Sequence, residues 1–465
     1  MRVAGFTARA IPATVVPMFR TVQMPLWLLI LILLFAAVTF ASHFLFPSVR
    51  WFFRRRMEKV VAKLNERLER PIQPFKLARR HDMIQRLIYD PKVAEAISEH
   101  ARLEGIPENV AFAEARRYAR EIVPSFSASA YFGFAIRFAR WLSRKLYTVH
   151  LDDSNDAALR AIDSDATVIF VMNHRSNMDY VLVTYLVADR SALSYAVGEW
   201  ARVWPLSRLI RAMGAFFIRR RSRNMLYRRV LARYVQLATR GGVTQAIFPE
   251  GGLSLDGAVG LPKLGLLSYI LADFEPGADR DVVFVPVALN YDRVLEDRIL
   301  TDASRTGKRK FRASVGGAIW FIIRYTWRRL RGKAVRFGHA GVGFGQPLSL
   351  AEFVESHRGE AIAGVGKELR RRVQDVIPVL PVPMVAYLLA RKGGTATRKG
   401  LVEAVAPYLQ RLSHPAMDDP EAVVRDGLAS LLTRRIVREG PDGIRANGDG
   451  GVLLEYYARS VAHLF

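Results

Sequence analysis

Short apolar runs alternate with longer amphipathic stretches in the middle of the chain, between about residues 167 and 347. The apolar runs have the length of buried strands, and the stretches between them have helical periodicity. This alternation is typical of an α/β domain. We therefore predict a mixed, partly parallel sheet flanked by helices, with strands at 167–172, 215–218, 245–248, 282–288 and 335–342.

The pattern outside this core is mostly helical. It is charged and helical upstream, and from about residue 367 onward it looks helical again, with a polar linker at 391–398 and a Gly/Asp-rich loop at 440–451. We predict a tail (1–23), a transmembrane helix (24–46), a helical region (47–150), an α/β core domain (151–360) and a C-terminal helical region (361–465).

One stretch, residues 25–46, is uncharged and apolar over about the length that a helix needs to cross a bilayer. A cleaved signal sequence is an alternative, but the stretch is long for one and has no clear small-x-small cleavage site. Arginine and lysine residues are more frequent after the stretch than before it. This bias predicts a single-pass protein of the cell (inner) membrane with its catalytic domain on the cytoplasmic side.

Composition narrows the possible partners. The net charge of +26 implies an anionic partner, which can be nucleic acid, an anionic lipid surface or phosphorylated substrates. The apolar stretch favours a phospholipid membrane as the partner. We predict no nucleic-acid partner, because the sequence contains no nucleic-acid-recognition motif. The absence of cysteine excludes thiolate metal sites and cysteine nucleophiles, and the histidines lack metal-ligand spacing. We therefore predict no bound metal.

The strand at 167–172 ends in a turn that carries His174, and Asp179 follows at the start of a predicted helix. A turn that folds back lets the carboxylate reach one ring nitrogen and leaves the other facing outward as a base. A transferase to an alcohol needs such a pair, because a hydroxyl attacks well only when its proton is removed. The spacing alone also fits a polar strand end with a helix-capping acid.

The strand at 215–218 runs into three consecutive arginines, Arg219, Arg220 and Arg221, before a predicted helix. Guanidinium groups beside a helix N-terminus make a phosphate site, since bidentate donors and free backbone amides converge on one anion. A solvated basic turn is the alternative. Open α/β sheets place ligands at the carboxyl ends of strands, so these arginines and His174 are expected to share one site.

A third strand end, after residues 245–248, carries Glu250 and two glycines, Gly251 and Gly252. Glycines free the backbone to approach a ligand closely, although a tight structural turn explains them equally well. We expect Glu250 either to bind substrate hydroxyls or to support the region of His174.

Four motifs follow one another in the order HRSNMD, GAFFIRR, FPEGG and VPVALNYD. Together they resemble the four motifs of the glycerolipid acyltransferases, and more narrowly those of the glycerol-3-phosphate acyltransferase branch, which includes the dihydroxyacetone-phosphate acyltransferases. The likeness extends to DPKVAEAI and ARRYAREI upstream and to LLEYYARSVAHLF at the end, so it covers roughly residues 90–465.

The resemblance implies an O-acyltransferase that moves a fatty acyl group from acyl-CoA or acyl carrier protein to glycerol 3-phosphate, giving lysophosphatidic acid for phospholipid synthesis. The donor is a co-substrate, and no cofactor is expected. His174 is then the general base and Asp179 its orienting carboxylate, with direct attack on the thioester. The predicted substrate-binding residues are Arg175, Ser176, Arg219, Arg220, Arg221, Glu250, Gly251, Gly252 and Lys263.

One departure from the family pattern concerns the phosphate contacts. The family commonly continues its glycine pair with an arginine, as in EGGRS, whereas this chain has Leu253 there. Arg175, Arg221 or Lys263 is expected to substitute for the missing guanidinium. There are two alternatives to a glycerol-3-phosphate acyltransferase. One is an acyltransferase with dihydroxyacetone phosphate or lysophosphatidate as acceptor, and the other is a membrane-tethered lipid-binding protein with little activity.

Overall fold

The structure is a computed structural model, and it describes most of the chain. The described residues are 24–152, 154–187, 190–198, 206–219, 222–272, 274–307, 327, 336–357, 361–391, 393–410, 419–441, 443–448 and 450–465. The predicted tail at 1–23 lies outside them. The chain divides into two compact units, Met1–Lys63 and Leu64–Phe465, and each is described by itself.

Helix α1 (Leu26–Asn65) contains nearly all of the described residues of the first unit and runs for 40 residues. Large apolar side chains near its start are exposed, among them Leu26 at 73% and Phe35 at 71%. Among the described residues, no helix combines the length and the apolar character needed to cross a membrane. The transmembrane helix at 24–46 stays a prediction.

The second unit is built on a sheet that has eight strands in the described part of the chain. They are β1 (Thr148–Asp152), β2 (Thr167–Met172), β3 (Ser194–Gly198), β4 (Phe216–Ile218), β5 (Gln245–Ile247), β6 (Val282–Tyr291), β7 (His339–Phe344) and β8 (Leu348–Ser349).

The strand order is β1-β7-β6-β2-β5-β3-β4, with β8 paired to β6. The five strands from β6 to β4 are mutually parallel, whereas β7 and β8 are antiparallel to β6. The predicted mixed, partly parallel α/β sheet is therefore confirmed, and most of its strands are parallel. The carboxyl ends of β2, β4, β5 and β6 lie at the same edge, which is where ligands bind in sheets of this kind.

Helices flank this sheet. They are α2 (Pro74–Leu77), α3 (Arg80–Ile88), α4 (Pro91–Glu104), α5 (Glu108–Ile122), α6 (Ile136–Leu146), α7 (Asp156–Arg160), α8 (Met178–Leu186), α9 (Leu206–Ala212), α10 (Met225–Arg240), α11 (Gly265–Leu271), α12 (Asp297–Thr306), α13 (Leu350–Ser356), α14 (Ala361–Asp375), α15 (Pro381–Arg391), α16 (Arg398–Leu409), α17 (Pro420–Thr433) and α18 (Gly450–Ala458). A π-helix, Ser129–Ala135, precedes α6.

Strand β2 shows how the sheet separates two cores. All six of its residues are buried, as expected of a central strand without polar alternation. Successive side chains point to opposite faces. Phe170 and its neighbours two positions away join the core that contains α8, α15, α17 and α18. Val171 and Ile169 join the core that contains α3, α4, α5 and α10.

The strand predictions hold best where strands are central. The bounds of β2 match the prediction, and β6 extends three residues beyond it, to Tyr291. The strand predicted at 335–342 is β7, His339–Phe344. Strands β1 and β3 were not predicted, because their five-residue sequences mix polar and apolar positions without a clear period.

The C-terminal part of the chain contains a second, small sheet as well as helices. Its antiparallel strands are β9 (Thr395–Ala396), β10 (Val437–Gly440) and β11 (Gly443–Ala446). The sequence had predicted a linker and a loop at these places. A two-residue strand is too short to leave a periodic pattern, so only its distant pairing partner defines it.

Candidate active site

The first motif begins at the carboxyl end of β2, where Asn173 ties the strand to β6. Its side-chain Nδ2 donates to the carbonyl of Leu289 at 2.9 Å, and its Oδ1 accepts from the Leu289 amide at 2.8 Å. This pair of bonds continues the β2–β6 ladder by one residue. The next residue, His174, therefore leaves the sheet from a fixed position.

The turn after His174 folds back so that Asp179, at the start of α8, faces it. One carboxylate oxygen, Oδ2, accepts from the amides of Arg175 at 2.7 Å and Ser176 at 3.0 Å. The same Oδ2 lies 2.9 Å from Nδ1 of His174. Because Oδ2 is acting as an acceptor, Nδ1 carries the proton, and Nε2 of the neutral ring is left as the basic nitrogen.

Two aromatic rings set the plane of the imidazole. Phe248 stacks on His174 with centroids 4.1 Å apart, and Tyr180 meets it edge-on at 5.5 Å. The histidine is 2% exposed. The ring can therefore neither flip away from Asp179 nor turn to solvent, which is the preorganisation that a general base needs.

The fourth motif supplies a second partner for the carboxylate. Tyr291, the last residue of β6, donates its hydroxyl to Oδ1 of Asp179 at 2.7 Å. Burial raises the pKa of the Tyr291 hydroxyl well above its usual value, and the neighbouring Asp179 charge adds to this, so the hydroxyl stays a donor. Asp179 is fully buried, and each of its oxygens is satisfied.

Glu296, beyond the end of β6, holds the other side of the turn. Its Oε2 accepts from the Ser176 hydroxyl at 2.8 Å, and its Oε1 accepts from Nδ2 of Asn177 at 3.0 Å. Burial raises the pKa of the Glu296 carboxyl. Ser176, predicted to bind substrate, thus has its hydroxyl committed to positioning the turn.

The third motif is joined to the turn through backbone and carboxylate bonds. Glu250 accepts from the amide of His174 at 3.0 Å and from the amide of Gly260 at 3.1 Å, and Ser254 donates its amide to the His174 carbonyl at 2.8 Å. Burial raises the pKa of Glu250 to about 7. Of the two roles expected for Glu250, these contacts favour support of the histidine region.

The glycine pair forms a tight turn beside this carboxylate. Gly251 has a φ of +66°, and a Cβ there would lie 2.9 Å from Cδ of Lys263. Lys263 therefore passes directly over Gly251, as expected for residues of one binding loop. Gly252 is buried, and Leu253 packs against the core that contains α8. The position that carries an arginine in the family thus contributes packing in this chain.

Arg175 lies beneath the C-terminal residues. Its guanidinium covers the ring of Tyr456 at 4.7 Å and donates to the carbonyl of Gly257. Arg175 is 2% exposed, and its Nε and Nη2 have no partner among the described residues. A Cβ on Gly257, whose φ is +92°, would meet the Tyr456 carbonyl at 1.9 Å, so only glycine allows this close approach.

Arg219, in the second motif, lies apart from the histidine turn. Its Nε and Nη2 donate to Glu121 at 2.9 and 2.7 Å, and its guanidinium lies 5.3 Å from the rings of Tyr118 and Tyr227. The pair raises the pKa of Arg219 above its usual value. These partners are on α5 and α10, which cover the opposite face of the sheet from α8.

The order of the strands also separates Arg219 from the turn that carries His174. Between β2 and β4 stand β5 and β3, which puts the strand axes roughly 14 Å apart at about 4.8 Å per strand. Arg220 and Arg221 lie outside the described residues. The structure therefore brings together the residues predicted in the first and third motifs and leaves Arg219 at the edge of the sheet.

Three residues of the site were missed by sequence reasoning: Asn173, Tyr291 and Glu296. Tyr291 lies within a motif that the sequence had singled out, but the strand pattern could not show that its hydroxyl faces Asp179, 112 positions away. Glu296 gave no local signal. Among the described residues, no group of three or more potential ligands is placed to hold a metal ion.

Comparison with known proteins agrees with this geometry. A family model described as acyltransferase matches residues 153–290, which contain the first three motifs and the first six residues of the fourth. A second model, described as the glycerol-3-phosphate acyltransferase C-terminal region, matches residues 319–465. Among solved structures, the 1-acyl-sn-glycerophosphate (LPA) acyltransferase PlsC from Thermotoga maritima is 20% identical with a TM-score of 0.30, covering 56% of this chain and 83% of that one. At that score the match supports no inference.

Curated relatives carry one common description. The glycerol-3-phosphate acyltransferase of Ectopseudomonas mendocina (strain ymp) is 29% identical over 84% of this chain and 49% of its own length. Those of Haemophilus influenzae (strain PittEE) and Pseudomonas fluorescens (strain SBW25) are 27% and 28% identical over 84% of this chain and 50% and 48% of their own length. The chain spans about half the length of the curated relatives it matches. In its motifs, in its core and in its C-terminal region, the chain is similar to the glycerol-3-phosphate acyltransferases.

Proposed function

We propose that this protein is a glycerol-3-phosphate 1-O-acyltransferase, which makes lysophosphatidic acid from glycerol 3-phosphate and an acyl thioester. The observation that carries the proposal is the buried pair of His174 and Asp179, held by Tyr291 at the carboxyl end of β2. The pair is the base that an alcohol acceptor requires, and the descriptions of the matched relatives support glycerol 3-phosphate as that acceptor.

In the proposed reaction, Nε2 of His174 takes the proton of the primary hydroxyl as that oxygen attacks the thioester carbonyl carbon. The tetrahedral adduct expels the thiolate of the donor, and the imidazolium returns the proton to it. An ester C–O bond thus replaces the C–S bond, and the enzyme ends unchanged. Asp179 stabilises the transient imidazolium and keeps the proton of the resting ring on Nδ1.

We propose acyl-CoA or acyl carrier protein as the donor, and Lys263, Arg219 and Arg175 as the cations that meet the acceptor phosphate. The exposed fraction of the Arg219 side chain, 32%, and its Nη1 edge, which Glu121 does not use, support a phosphate contact there. Arg175 has two buried donors without a partner among the described residues, which supports an anion nearby.

We also propose that the protein works at a phospholipid membrane, anchored by residues 24–46 with the catalytic unit on the cytoplasmic side. The exposed apolar side chains at the start of α1 support this, because water solvates such a surface poorly. The basic residues that follow the stretch suit anionic headgroups.

The test is thioester consumption by purified membranes that carry the protein. Palmitoyl-CoA, and separately a palmitoyl carrier protein, are offered with glycerol 3-phosphate, dihydroxyacetone phosphate or lysophosphatidate. We expect turnover that depends on glycerol 3-phosphate and is absent from membranes with the His174→Ala variant.

Turnover with glycerol 3-phosphate would also show that Leu253 is tolerated where the family has an arginine. Turnover that requires lysophosphatidate or dihydroxyacetone phosphate would refute the acceptor while keeping the reaction. Folded protein that consumes neither thioester with any acceptor would overturn the enzymatic proposal in favour of a lipid-binding protein.

A further inference from the structure

A cavity of about 300 Å³ lies between α12 and the C-terminal part of the chain, outside the site described above. One face of α12 forms its first wall, and the segment between α17 and β10 forms the second. Four arginines line it: Arg298, Arg305, Arg434 and Arg435. Its volume is at the small end of the range for ligand-binding pockets.

The positive charge of this cavity is only partly balanced. Arg305 pairs with Asp302 at 3.3 Å, and Arg434 pairs with the buried carboxylate of Asp297. Arg298 and Arg435 have no carboxylate partner among the described residues. Two unbalanced guanidinium groups facing one cavity favour an anion with at least two negative charges.

Arg435 is held there at a conformational cost. Its φ of +56° is the one positive value of a non-glycine residue among the described residues. Arg435 lies two residues after the end of α17, and its amide donates to the Leu432 carbonyl. The side chain of Asn447 donates to the carbonyl of Arg435 at 3.1 Å. Glycine is the usual residue at such a helix end, since a Cβ is disfavoured there. The backbone conformation at this position therefore does not explain why the residue is an arginine. The side chain of Arg435 lines the cavity.

The remaining lining is partly apolar. It contains Ile436, Val452 and Leu453 together with Asn447, and Val452 is 45% exposed. A site for inorganic ions alone needs no such surface, whereas a ring or short aliphatic part beside the charges does. We infer that this cavity binds a small, multiply phosphorylated ligand with an apolar part, of which a nucleotide is the simplest class.

The cavity is joined to the histidine turn by two neighbouring residues. Arg434 lines the cavity and donates to Asp297, which also accepts from the Tyr457 hydroxyl. The preceding residue, Glu296, holds Ser176 and Asn177 of the turn. A ligand that contacts Arg434 is therefore linked to Asp297, which is adjacent in sequence to Glu296, and Glu296 positions the turn that carries His174. Binding itself does not rest on the proposed activity.

The test is isothermal titration calorimetry of the full chain in detergent. The probes are adenosine 3′,5′-bisphosphate, which is the phosphorylated nucleoside end of coenzyme A, pyrophosphate, and adenosine as the uncharged control. We expect the bisphosphate to bind in a salt-dependent manner, pyrophosphate to bind more weakly, and adenosine not to bind. Arg298→Gln and Arg435→Gly should each weaken binding at least about tenfold.

Arg435→Gly is chosen because glycine suits the backbone at that position, so its thermal midpoint should stay at or above that of the wild type. Arg438→Gln is the matched control, since it removes an exposed arginine of β10 that does not line the cavity. Wild-type protein that binds neither phosphate compound would overturn the inference, as would equal weakening by the Arg438 variant.

Two sources of the ligand are separated by competition. If palmitoyl-CoA displaces the bisphosphate, the cavity holds the nucleotide end of the proposed donor. If it does not, the cavity holds a separate phosphorylated effector. Either result supports the site, and both remain readable if the protein transfers no acyl group.

Discussion

The carboxyl ends of β2 and β4 are alike in sequence and different in the fold. Each is an apolar strand that runs into polar residues and then a helix, and each was expected to carry chemistry. At the end of β2, His174 is 2% exposed and is fixed by the third and fourth motifs. At the end of β4, Arg219 contacts helices on the opposite face and is 32% exposed.

The difference comes from the place of each strand in the sheet. Strand β2 is central, so the loops after β5 and β6 converge on its carboxyl end from both sides. Strand β4 is at the edge of the sheet, and in the described part of the chain it has one neighbouring strand, β3. A central strand end can position a base from many directions, whereas an edge holds a cation through one strong pair that is open to competition by a ligand.

The largest effect is expected at the centre of the sheet. His174→Ala removes the proposed base, and the acyl-transfer rate should fall at least about a hundredfold, with membrane attachment unchanged. The matched control is His357→Ala, at an exposed histidine at the end of α13, which should keep full activity. Normal turnover by the His174 variant would sink the mechanism.

A smaller loss is expected when the turn is loosened without touching the base. Glu296→Ala leaves the Ser176 hydroxyl and the Asn177 amide without their acceptor, and we expect kcat to fall about ten- to a hundredfold. Glu296→Gln keeps one acceptor oxygen and should recover most of the rate, because burial already favours the neutral form of this carboxyl.

The readout for Glu296 is kcat against pH together with KM for both substrates. Glu355→Ala, at an exposed glutamate of α13, is the control for loss of a carboxylate. If the alanine and glutamine variants lose activity equally, Glu296 acts through its charge, and the positioning role is wrong.

At the edge of the sheet the expected effect is on binding. Arg219→Ala should raise KM for the phosphorylated acceptor about tenfold and leave KM for the thioester nearly unchanged, since a charge-assisted contact is lost. It should also lower the thermal midpoint, because the buried carboxylate of Glu121 would lose its ion pair with Arg219.

Glu121→Gln separates these two effects. This variant breaks the ion pair but keeps the guanidinium, so we expect a lower thermal midpoint with an unchanged acceptor KM. A KM that rises equally in the Glu121 and Arg219 variants would mean that the β4 end has only a structural role.

The smallest effect concerns the pH dependence of stability, to which Asp292, the residue directly after β6, is expected to contribute. Asp292 is buried and accepts from the amides of His339 and Val382 at 2.8 Å each, and burial raises its pKa from 3.8 to about 7. A carboxyl with a raised folded-state pKa contributes stability that is fully present below the unfolded pKa and is lost as pH rises through the folded one. Wild type should therefore lose stability relative to Asp292→Asn between pH 3.8 and about 7.

Thermal midpoints of the two proteins at intervals across this window check the prediction. The difference between them should change by a few degrees and level off above neutrality, because Asp292 is then ionised in both the folded and unfolded states. Parallel pH profiles would show that Asp292 does not titrate in this window.

Much of the core was readable from the sequence because it is locally encoded. The apolar run of β2, the polar turn and the start of α8 lie within 20 residues, and the fold has them at the expected positions. The mixed, partly parallel sheet also followed from the alternation of strands and helices. Strands β1, β3 and β9 were missed because each is short and depends on partners far along the chain.

The amino-acid sequence by itself determined the class of fold, the order of the four motifs and the pairing of His174 with Asp179, since these depend on short-range periodicity and turn geometry. Only the tertiary structure decided which residues surround that pair. Tyr291 and Glu296 reach the turn from 112 and 120 positions away, and Tyr456 covers Arg175 from the C-terminal helix. It also decided that Arg219 pairs with Glu121, 98 positions before it. Side-chain contacts over such separations follow from strand order and from the packing of helices on each face, which no local pattern contains.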